Sequence, residues 1–349
     1  MIEQPRRPEV LAPVGDRAMM RAAIENGADA VYFGVQAFNA RLRAENFSID
    51  ALPTIMAELH GRGVKGYLTF NTLVFSDELS GAADLLCAAS KANVDAIIVQ
   101  DLGIALLARE LVPDLPIHAS TQMTLSSAES IQAAQSIGLK FERVVLPREL
   151  SRREISLVSK NTDMELEVFV HGALCVAYSG QCLTSEALGG RSANRGECAQ
   201  ACRLPYDLIV DGEEKDLEAN RYLLSPKDLA AYADIPELAA IGVRSLKIEG
   251  RLKSPEYVAA TVQTYREIAD RIGFGELTGK VSPPISSEQL ESLESTFSRG
   301  FTGGYLHSID HQKVVDGMYS SKRGAKIGTV IKVIPRGVIV ALERAIKAG

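Results

Sequence analysis

The chain has 349 residues, of which 46% are hydrophobic and 23% are charged, and its formal net charge is −6. This composition is typical of a folded globular protein and excludes a disordered or collagen-like chain. The N-terminal segment lacks the apolar core of a secretory signal, and no apolar run is long enough to span a membrane. A cytoplasmic location without membrane contact is therefore expected. The acidic net charge gives no whole-chain indication of nucleic-acid binding, although a local basic patch is compatible with it.

Eight short runs of apolar and β-branched residues recur along the first 250 residues. Most of them are nearly continuous rather than alternating, which is typical of parallel strands buried on both faces. Amphipathic helical patterns lie between the runs, for example at 16–28, 51–63 and 127–138. The predicted strands are 9–15, 30–36, 64–72, 95–101, 115–123, 143–150, 165–175 and 244–250.

Eight strands alternating with helices predict an α/β fold, a closed TIM-like (β/α)8 barrel over residues 1–275. The alternative is an open doubly wound sheet, but no Gly-x-Gly-x-x-Gly motif follows the first strand. About 70 residues separate strands seven and eight, and an insertion at about 172–206 carries the clustered cysteines. Loops after barrel strands lie on the catalytic face. The later part, 225–242, is predicted to be the helix returning to strand eight, with Ser225 as N-cap and Pro226 as first residue.

The sequence changes character beyond the last predicted barrel helix, 255–273. Residues 276–349 are predicted to hold a linker, a helix, a glycine-rich turn near 300–306 and a β-hairpin at 325–343. An isolated hairpin is marginally stable in water. We therefore expect this β-rich C-terminal segment to be incomplete and the sequence to be the front part of a longer protein.

The five cysteines are unevenly distributed. Cys87 stands alone in an apolar helix and is expected to be a plain core residue. The other four form a Cys-x6-Cys-x15-Cys-x3-Cys pattern, which in a cytoplasmic chain indicates metal ligands more than disulfides. Structural zinc usually uses closer cysteine pairs, and an iron–sulfur cluster tolerates irregular spacing. Spacing alone leaves cluster, zinc and redox or nucleophilic roles open for Cys175, Cys182, Cys198 and Cys202.

Polar side chains at the ends of predicted strands are candidates for the site chemistry. The catalytic candidates are His171, Lys247, Glu249 and Arg251. The substrate-binding candidates are Gln122, Arg148, Arg191 and Arg195, whose arginines suit carboxylate or phosphate groups. The alternative for His171 is a core histidine whose hydrogen bonds are made within the fold. For Lys247, Glu249 and Arg251 it is a salt-bridge network within the last strand, and for the arginines it is solvation at the surface. No HExxH or GxSxG motif of a hydrolase is visible.

The segment around the first cysteine pair resembles the signature of peptidase family U32, the collagenase-like proteases. In general form the signature is Glu-x-Phe-x-x-Gly-Ala-Leu-Cys-x4-Gly-x-Cys, which this sequence matches from Glu167 to Cys182. Thr184 departs from the pattern, which usually has an aliphatic residue there. The resemblance covers about residues 8–275. The sequence is similar to the branch of the family that hydroxylates RNA. This similarity lies in the segments HASTQ, RVVLPREL, GRSANRGEC, QACRLPY and RSLKIEGR.

The resemblance implies an iron–sulfur-dependent RNA hydroxylase that forms 5-hydroxycytidine in 23S rRNA. It also implies a [4Fe-4S] cluster on the four clustered cysteines; in some branches the fourth ligand is a later cysteine, and none follows Cys202 here. The implied partners are RNA, rRNA before tRNA, an electron or hydroxyl donor, and an anionic co-substrate such as prephenate. The alternative functions are a tRNA wobble-uridine 5-hydroxylase using prephenate, a collagenase-like peptidase, and a scaffold with structural zinc.

Overall fold

Short strands and helices alternate through the computed structural model, which describes residues 6–277, 285–308 and 310–346. In chain order the strands are β1 Glu9–Pro13, β2 Ala30–Phe33, β3 Lys65–Phe70, β4 Ala96–Val99, β5 Ile117–Ala119, β6 Arg143–Val145, β7 Glu165–Ala173, β8 Leu208–Val210, β9 Glu213–Lys215, β10 Tyr222–Pro226, β11 Asp228–Ala230, β12 Ser245–Ile248, β13 Phe301–Thr302, β14 Val315–Gly317, β15 Gly328–Ile334 and β16 Gly337–Leu342. The α-helices are α1 Arg17–Glu25, α2 Leu52–His60, α3 Leu79–Lys91, α4 Leu102–Leu111, α5 Ala128–Ser136, α6 Arg152–Lys160, α7 Thr184–Gly189, α8 Ile235–Ile241, α9 Pro255–Gly273, α10 Ser287–Thr296 and α11 His311–Val314.

The predicted (β/α)8 barrel is confirmed. Strands β1 to β7 follow one another in parallel, and β12 closes the ring by pairing in parallel with both β7 and β1. Both faces of each strand are buried: in β1, Val10 packs in the main core cluster and Leu11 in a second cluster that includes Tyr32 and Ile98. This explains the continuous apolar runs in the sequence. No helix in the described ranges is long and apolar enough to cross a membrane.

The insertion after β7 contains more strand than the sequence predicts. The helix expected over 225–242 is wrong in its first half, because β10 ends at Pro226 and the helix α8 begins only at Ile235. Between them β11 pairs antiparallel with the end of β7. Ser225 accepts a hydrogen bond from Arg203 at 2.8 Å instead of capping a helix. These contacts between residues distant in sequence override the local helical pattern.

The C-terminal elements attach to the barrel and its insertion. Helix α10 contacts α9, β13 pairs with β11, and β14 pairs with β10. The glycine-rich turn therefore contains a short strand that the sequence did not indicate. The predicted hairpin is confirmed as β15 and β16. The predicted linker falls largely at 278–284, outside the described residues, and both the domain division at 275/276 and the expectation of a longer protein stay predictions.

Buried charges lie inside the barrel on strands β1, β6, β7 and β12. Arg143 of β6 contacts Glu9, Glu165 and Glu167 at 2.5, 2.9 and 3.2 Å. Lys247 of β12 donates a hydrogen bond to Glu167 at 2.6 Å. Glu167 is fully buried, so its carboxylate depends on these two cations for compensation.

Candidate active site and metal centre

A cavity of about 240 Å³ opens at the carboxyl ends of the barrel strands. Strands β2 to β7 and β12, with the loops that follow them, contribute to its wall. The insertion after β7 also contributes, from Ala173 to Arg203. This is the face on which (β/α)8 enzymes carry out chemistry.

All four clustered cysteines line this cavity and are half-buried. Burial is the main reason that the pKa of Cys175 and that of Cys202 are raised, and the neighbouring thiols raise both further. The four thiols thus form one group. In the described part of the chain, however, no three His, Cys, Asp or Glu side chains are arranged to hold a single metal ion.

Cys87 is separate from this group. It is half-buried on α3 and does not line the cavity, although its neighbours Leu85, Leu86 and Ala89 are buried. The expectation of a plain core cysteine is therefore corrected: Cys87 lies at the edge of the packed face of its helix.

The segment between Cys175 and Cys182 is fixed to the barrel rim by its backbone. Ser179 donates to the Glu149 carboxylate from both its N–H and its hydroxyl group, each at 2.9 Å. Gly180 adopts a positive φ of 76°, and a Cβ at this position would lie 2.1 Å from the Gln122 carbonyl oxygen. Only glycine can therefore occupy this point of contact without displacing the segment.

We expect Gly180→Ala to lower the free energy of unfolding by about 1–3 kcal/mol, because it adds backbone strain and a clash with the backbone of Gln122. Gly189→Ala is the matched control, since a Cβ at Gly189 would meet no atom within 4 Å. Urea denaturation of both variants measures the difference. Equal stability of the two variants would show that the close approach of Gly180 is not required.

Three cations that line the cavity have a carboxylate partner. The pairs are Arg41–Glu249, Lys247–Glu167 and Arg299–Asp228. Burial opposes ionisation of Glu249, but Arg41 and then Arg148 outweigh it, and the pKa of Glu249 falls to about 2. This carboxylate is therefore charged at neutral pH and neutralises only one of the cations around it.

Four further cavity arginines, Arg43, Arg148, Arg203 and Arg251, have no carboxylate within salt-bridge distance among the described residues. Arg251 donates to the Asn39 and Thr69 side chains, and Arg203 donates to Ser225. Arg148 has only the ring of Phe169, whose centre lies 3.7 Å from the guanidinium carbon. Burial is the main reason that the pKa of Arg148 and that of Arg251 are lowered. The cavity thus carries an excess of positive charge that an anion would compensate.

The structure separates the predicted site residues into two groups. Gln122, Arg148, Lys247, Glu249 and Arg251 line the cavity. Lys247, Glu249 and Arg251 do not pair with one another, as a salt-bridge network within the strand would require; each has partners on other elements.

The other three candidates do not line the cavity. His171 is buried behind β7, where its Nδ1 lies 3.2 Å from the Tyr265 hydroxyl and its Nε2 has no partner in the described structure. Burial lowers the pKa of His171 to about 4, so the ring is neutral. Arg195 pairs with Glu78 at 2.6 Å, and Arg191 also lies outside the lining. These positions do not support direct contact of the three with a substrate in the cavity.

Sequence reasoning missed several residues that line the cavity. Arg41 and Arg43 come from the long loop after β2, and Arg299 comes from beyond the barrel, just before β13. The loop position after a barrel strand was a usable signal for the two loop arginines. Nothing local indicates Arg299, because its place depends on the pairing of β13 with β11.

The chain belongs to Peptidase family U32, whose model matches residues 15–316. This confirms the family resemblance of the cysteine segment. The family name describes a hydrolase, yet no histidine is among the described residues that line the cavity, so no cysteine–histidine pair is formed there.

Named relatives fall into RNA-modifying and proteolytic groups. The chain is 40% identical over 347 residues to the 23S rRNA 5-hydroxycytidine synthase of Escherichia coli, covering 98% of this chain and 52% of that protein. It is 40% identical over 299 residues to tRNA hydroxylation protein P1 of Bacillus subtilis, covering 84% and 69%. It is 36% identical over 311 residues to a collagenase of Porphyromonas gingivalis, covering 85% and 73%. The chain therefore spans about half the length of the first of these relatives.

Proposed function

We propose that this protein hydroxylates C5 of a pyrimidine in RNA, with cytidine of 23S rRNA as its substrate. The observation that carries the proposal is the meeting of four thiols and an excess of arginines in one cavity at the carboxyl end of the barrel. A peptidase would need an activated nucleophile or a metal-bound water instead. The similarity to relatives named for RNA hydroxylation supports the same substrate class.

We further propose that Cys175, Cys182, Cys198 and Cys202 hold a [4Fe-4S] cluster. A tetrahedral zinc ion with bonds of about 2.3 Å requires sulfur atoms about 3.8 Å apart. The thiols line one cavity without forming a single-ion site, which favours a group that bonds each thiolate through a different iron. When bound, such a cluster supplies electron transfer or activation of the hydroxyl donor. The positive charges of Arg148 and Arg203 favour the thiolate forms of Cys175 and Cys202 respectively, and so oppose the burial that raises the pKa of both thiols.

The cavity arginines suit an anionic hydroxyl donor, such as the dicarboxylate prephenate. Replacing the C5 hydrogen by a hydroxyl group oxidises the pyrimidine by two electrons, so the donor must be reduced by two electrons. Arg148 lies near Cys175 and has no carboxylate partner in the described structure. It is therefore positioned to orient a carboxylate of the donor beside the thiols.

Arg148→Met is expected to weaken binding of prephenate by about 10- to 150-fold, because a charged hydrogen bond contributes about 1.5–3 kcal/mol. The fold should be retained, since Arg148 has no salt-bridge partner in the described structure and Glu249, the nearby carboxylate, keeps its pair with Arg41. Arg62→Met is the control, because Arg62 follows the C-terminal end of α2 and pairs with Glu25 on the exposed surface. The measurement is the KM for prephenate in the hydroxylation assay. An unchanged KM would remove Arg148 from the donor site.

The substrate is tested by mass spectrometry of nucleosides from separated rRNA and tRNA of a deletion strain. We expect 5-hydroxycytidine to disappear from 23S rRNA and to return when this chain is expressed. Loss of a tRNA wobble 5-hydroxyuridine instead would assign the enzyme to tRNA, the alternative that the similarity to the Bacillus subtilis protein keeps open. Unchanged modification of both RNAs would contradict the proposal.

A further inference from the structure

An aromatic side chain projects into solvent at the cavity mouth. Tyr178 lines the cavity, and 71% of its surface is exposed. Among the described residues its hydroxyl group has no hydrogen-bond partner, and its ring stacks on no aromatic or cationic side chain. Its apolar surface therefore contributes little to the stability of the fold.

The backbone that carries Tyr178 is held firmly. The Tyr178 carbonyl accepts a hydrogen bond from Gln181 N–H at 3.0 Å. The next residue, Ser179, is bonded to Glu149 through two groups, and its carbonyl accepts from the Thr124 hydroxyl at 2.6 Å. The ring is thus presented from a fixed position, which lowers the entropy lost when a flat ligand stacks on it.

The surroundings of Tyr178 favour a nucleic acid over other flat ligands. Arg43 lines the same cavity, is exposed, and has no carboxylate partner in the described structure. Arg148 lies deeper in the cavity, also without such a partner. An aromatic face beside guanidinium groups is the combination by which proteins bind unpaired bases and their phosphates.

We infer that Tyr178 is the stacking platform for an unpaired pyrimidine of the RNA substrate. The inference rests on the proposed function and narrows its substrate class to single-stranded RNA or to a base displaced from a helix. A base inside a duplex cannot enter a cavity of about 240 Å³, so it must leave its stack before it reaches the thiols. Tyr178 replaces part of the stacking that the base loses.

The inference is tested by measuring how tightly the cluster-containing wild type and its Tyr178 variants bind two RNA probes. The probes are labelled single-stranded oligocytidylate of about eight residues and an abasic ribose–phosphate oligomer of the same length. We expect Tyr178→Leu to weaken binding of oligocytidylate by about 5- to 150-fold and to leave binding of the abasic oligomer unchanged. Tyr178→Phe should bind as the wild type does, because it retains the ring.

Phe274→Leu is the matched control. Phe274 follows the last residue of α9 and is 76% exposed. This C-terminal end of the helix lies at the opposite end of the barrel from the cavity. The variant should bind both oligomers as the wild type does. Iron content is measured for every variant. Should Tyr178→Leu lose its cluster, the wild type alone decides: it must bind oligocytidylate more tightly than the abasic oligomer.

Three results would overturn the inference: equal wild-type affinity for the two oligomers, equal loss of affinity for both in Tyr178→Leu, or no loss for either. If the wild type hydroxylates RNA while any of these holds, the proposed function stands and only the role of Tyr178 fails. If Tyr178→Leu weakens the binding of oligocytidylate but not of the abasic oligomer, and the wild type hydroxylates no RNA, the stacking site stands and the proposed function fails.

Discussion

Replacing Cys182 by alanine is expected to abolish both the visible absorption of the anaerobically purified protein and its RNA hydroxylation. Cys182 lines the cavity with the other three thiols of the group. A cluster that loses one of four thiolate ligands exposes an iron to solvent, and the remaining cysteines of this chain offer no replacement, since Cys87 lies on α3 outside the cavity. Iron content, visible spectra and EPR measure the loss.

Cys87→Ala is the matched control and should retain iron and activity. The same comparison resolves the ligand set one cysteine at a time, including Cys202, which we propose as the fourth ligand. Full iron content and an unaltered EPR spectrum in Cys182→Ala would remove Cys182 from the ligand set. The same outcome in Cys202→Ala would show that the fourth ligand is not Cys202.

Replacing Glu167 by glutamine is expected to lower the free energy of unfolding by about 3–5 kcal/mol, because it leaves buried Lys247 without its carboxylate partner, whereas Arg143 keeps Glu9 and Glu165. Glu167 is fully buried and accepts hydrogen bonds from Lys247 and Arg143 at 2.6 and 3.2 Å. Glu58→Gln is the control: Glu58 pairs with Arg17 on the surface, where such pairs contribute about 0–1 kcal/mol. Anaerobic urea denaturation at pH 7 compares the two. A similar small loss in both would show that the buried pair is not required for stability.

The same carboxylate gives the barrel a defined acid sensitivity. Burial raises the pKa of Glu167, but Lys247 and Arg143 outweigh it and hold the pKa at about 2, below its ordinary value of 4.5. A group with a lowered folded-state pKa stabilises the fold above its unfolded pKa and loses that contribution as the pH falls through the folded one. The contribution of Glu167 should therefore be complete at neutral pH and decline between about pH 4.5 and 2, so the stability difference between wild type and Glu167→Gln should shrink over this range.

Most of the fold could be predicted from local sequence because the barrel strands are encoded locally. Each run of apolar residues is buried on both faces, and the helices between them carry one apolar face, as α9 does with Tyr257, Val258 and Tyr265. The segment 225–242 could not be predicted in this way. Its helical pattern is local, whereas the strand β11 that forms there depends on pairing with β7 and β13.

The site could be predicted in part for the same reason. The cysteine pattern and the positions after barrel strands located the cavity, and Arg148, Glu249 and Arg251 line it. His171 also ends a barrel strand, but Tyr257, Tyr265 and Phe301 surround its ring and separate it from the cavity lining. The pairing of Arg41 with Glu249 joins elements more than 200 residues apart, and no single-sequence pattern indicates it.

We propose that four cysteines hold a [4Fe-4S] cluster in the cavity of a barrel that modifies RNA. The most direct test of this proposal is anaerobic purification followed by iron, zinc and acid-labile sulfide analysis, with visible and EPR spectra of the same sample. We expect about four iron and four sulfide ions per chain, a broad visible absorption and an EPR signal after one-electron reduction. A colourless protein with one zinc ion and no iron would contradict the proposal.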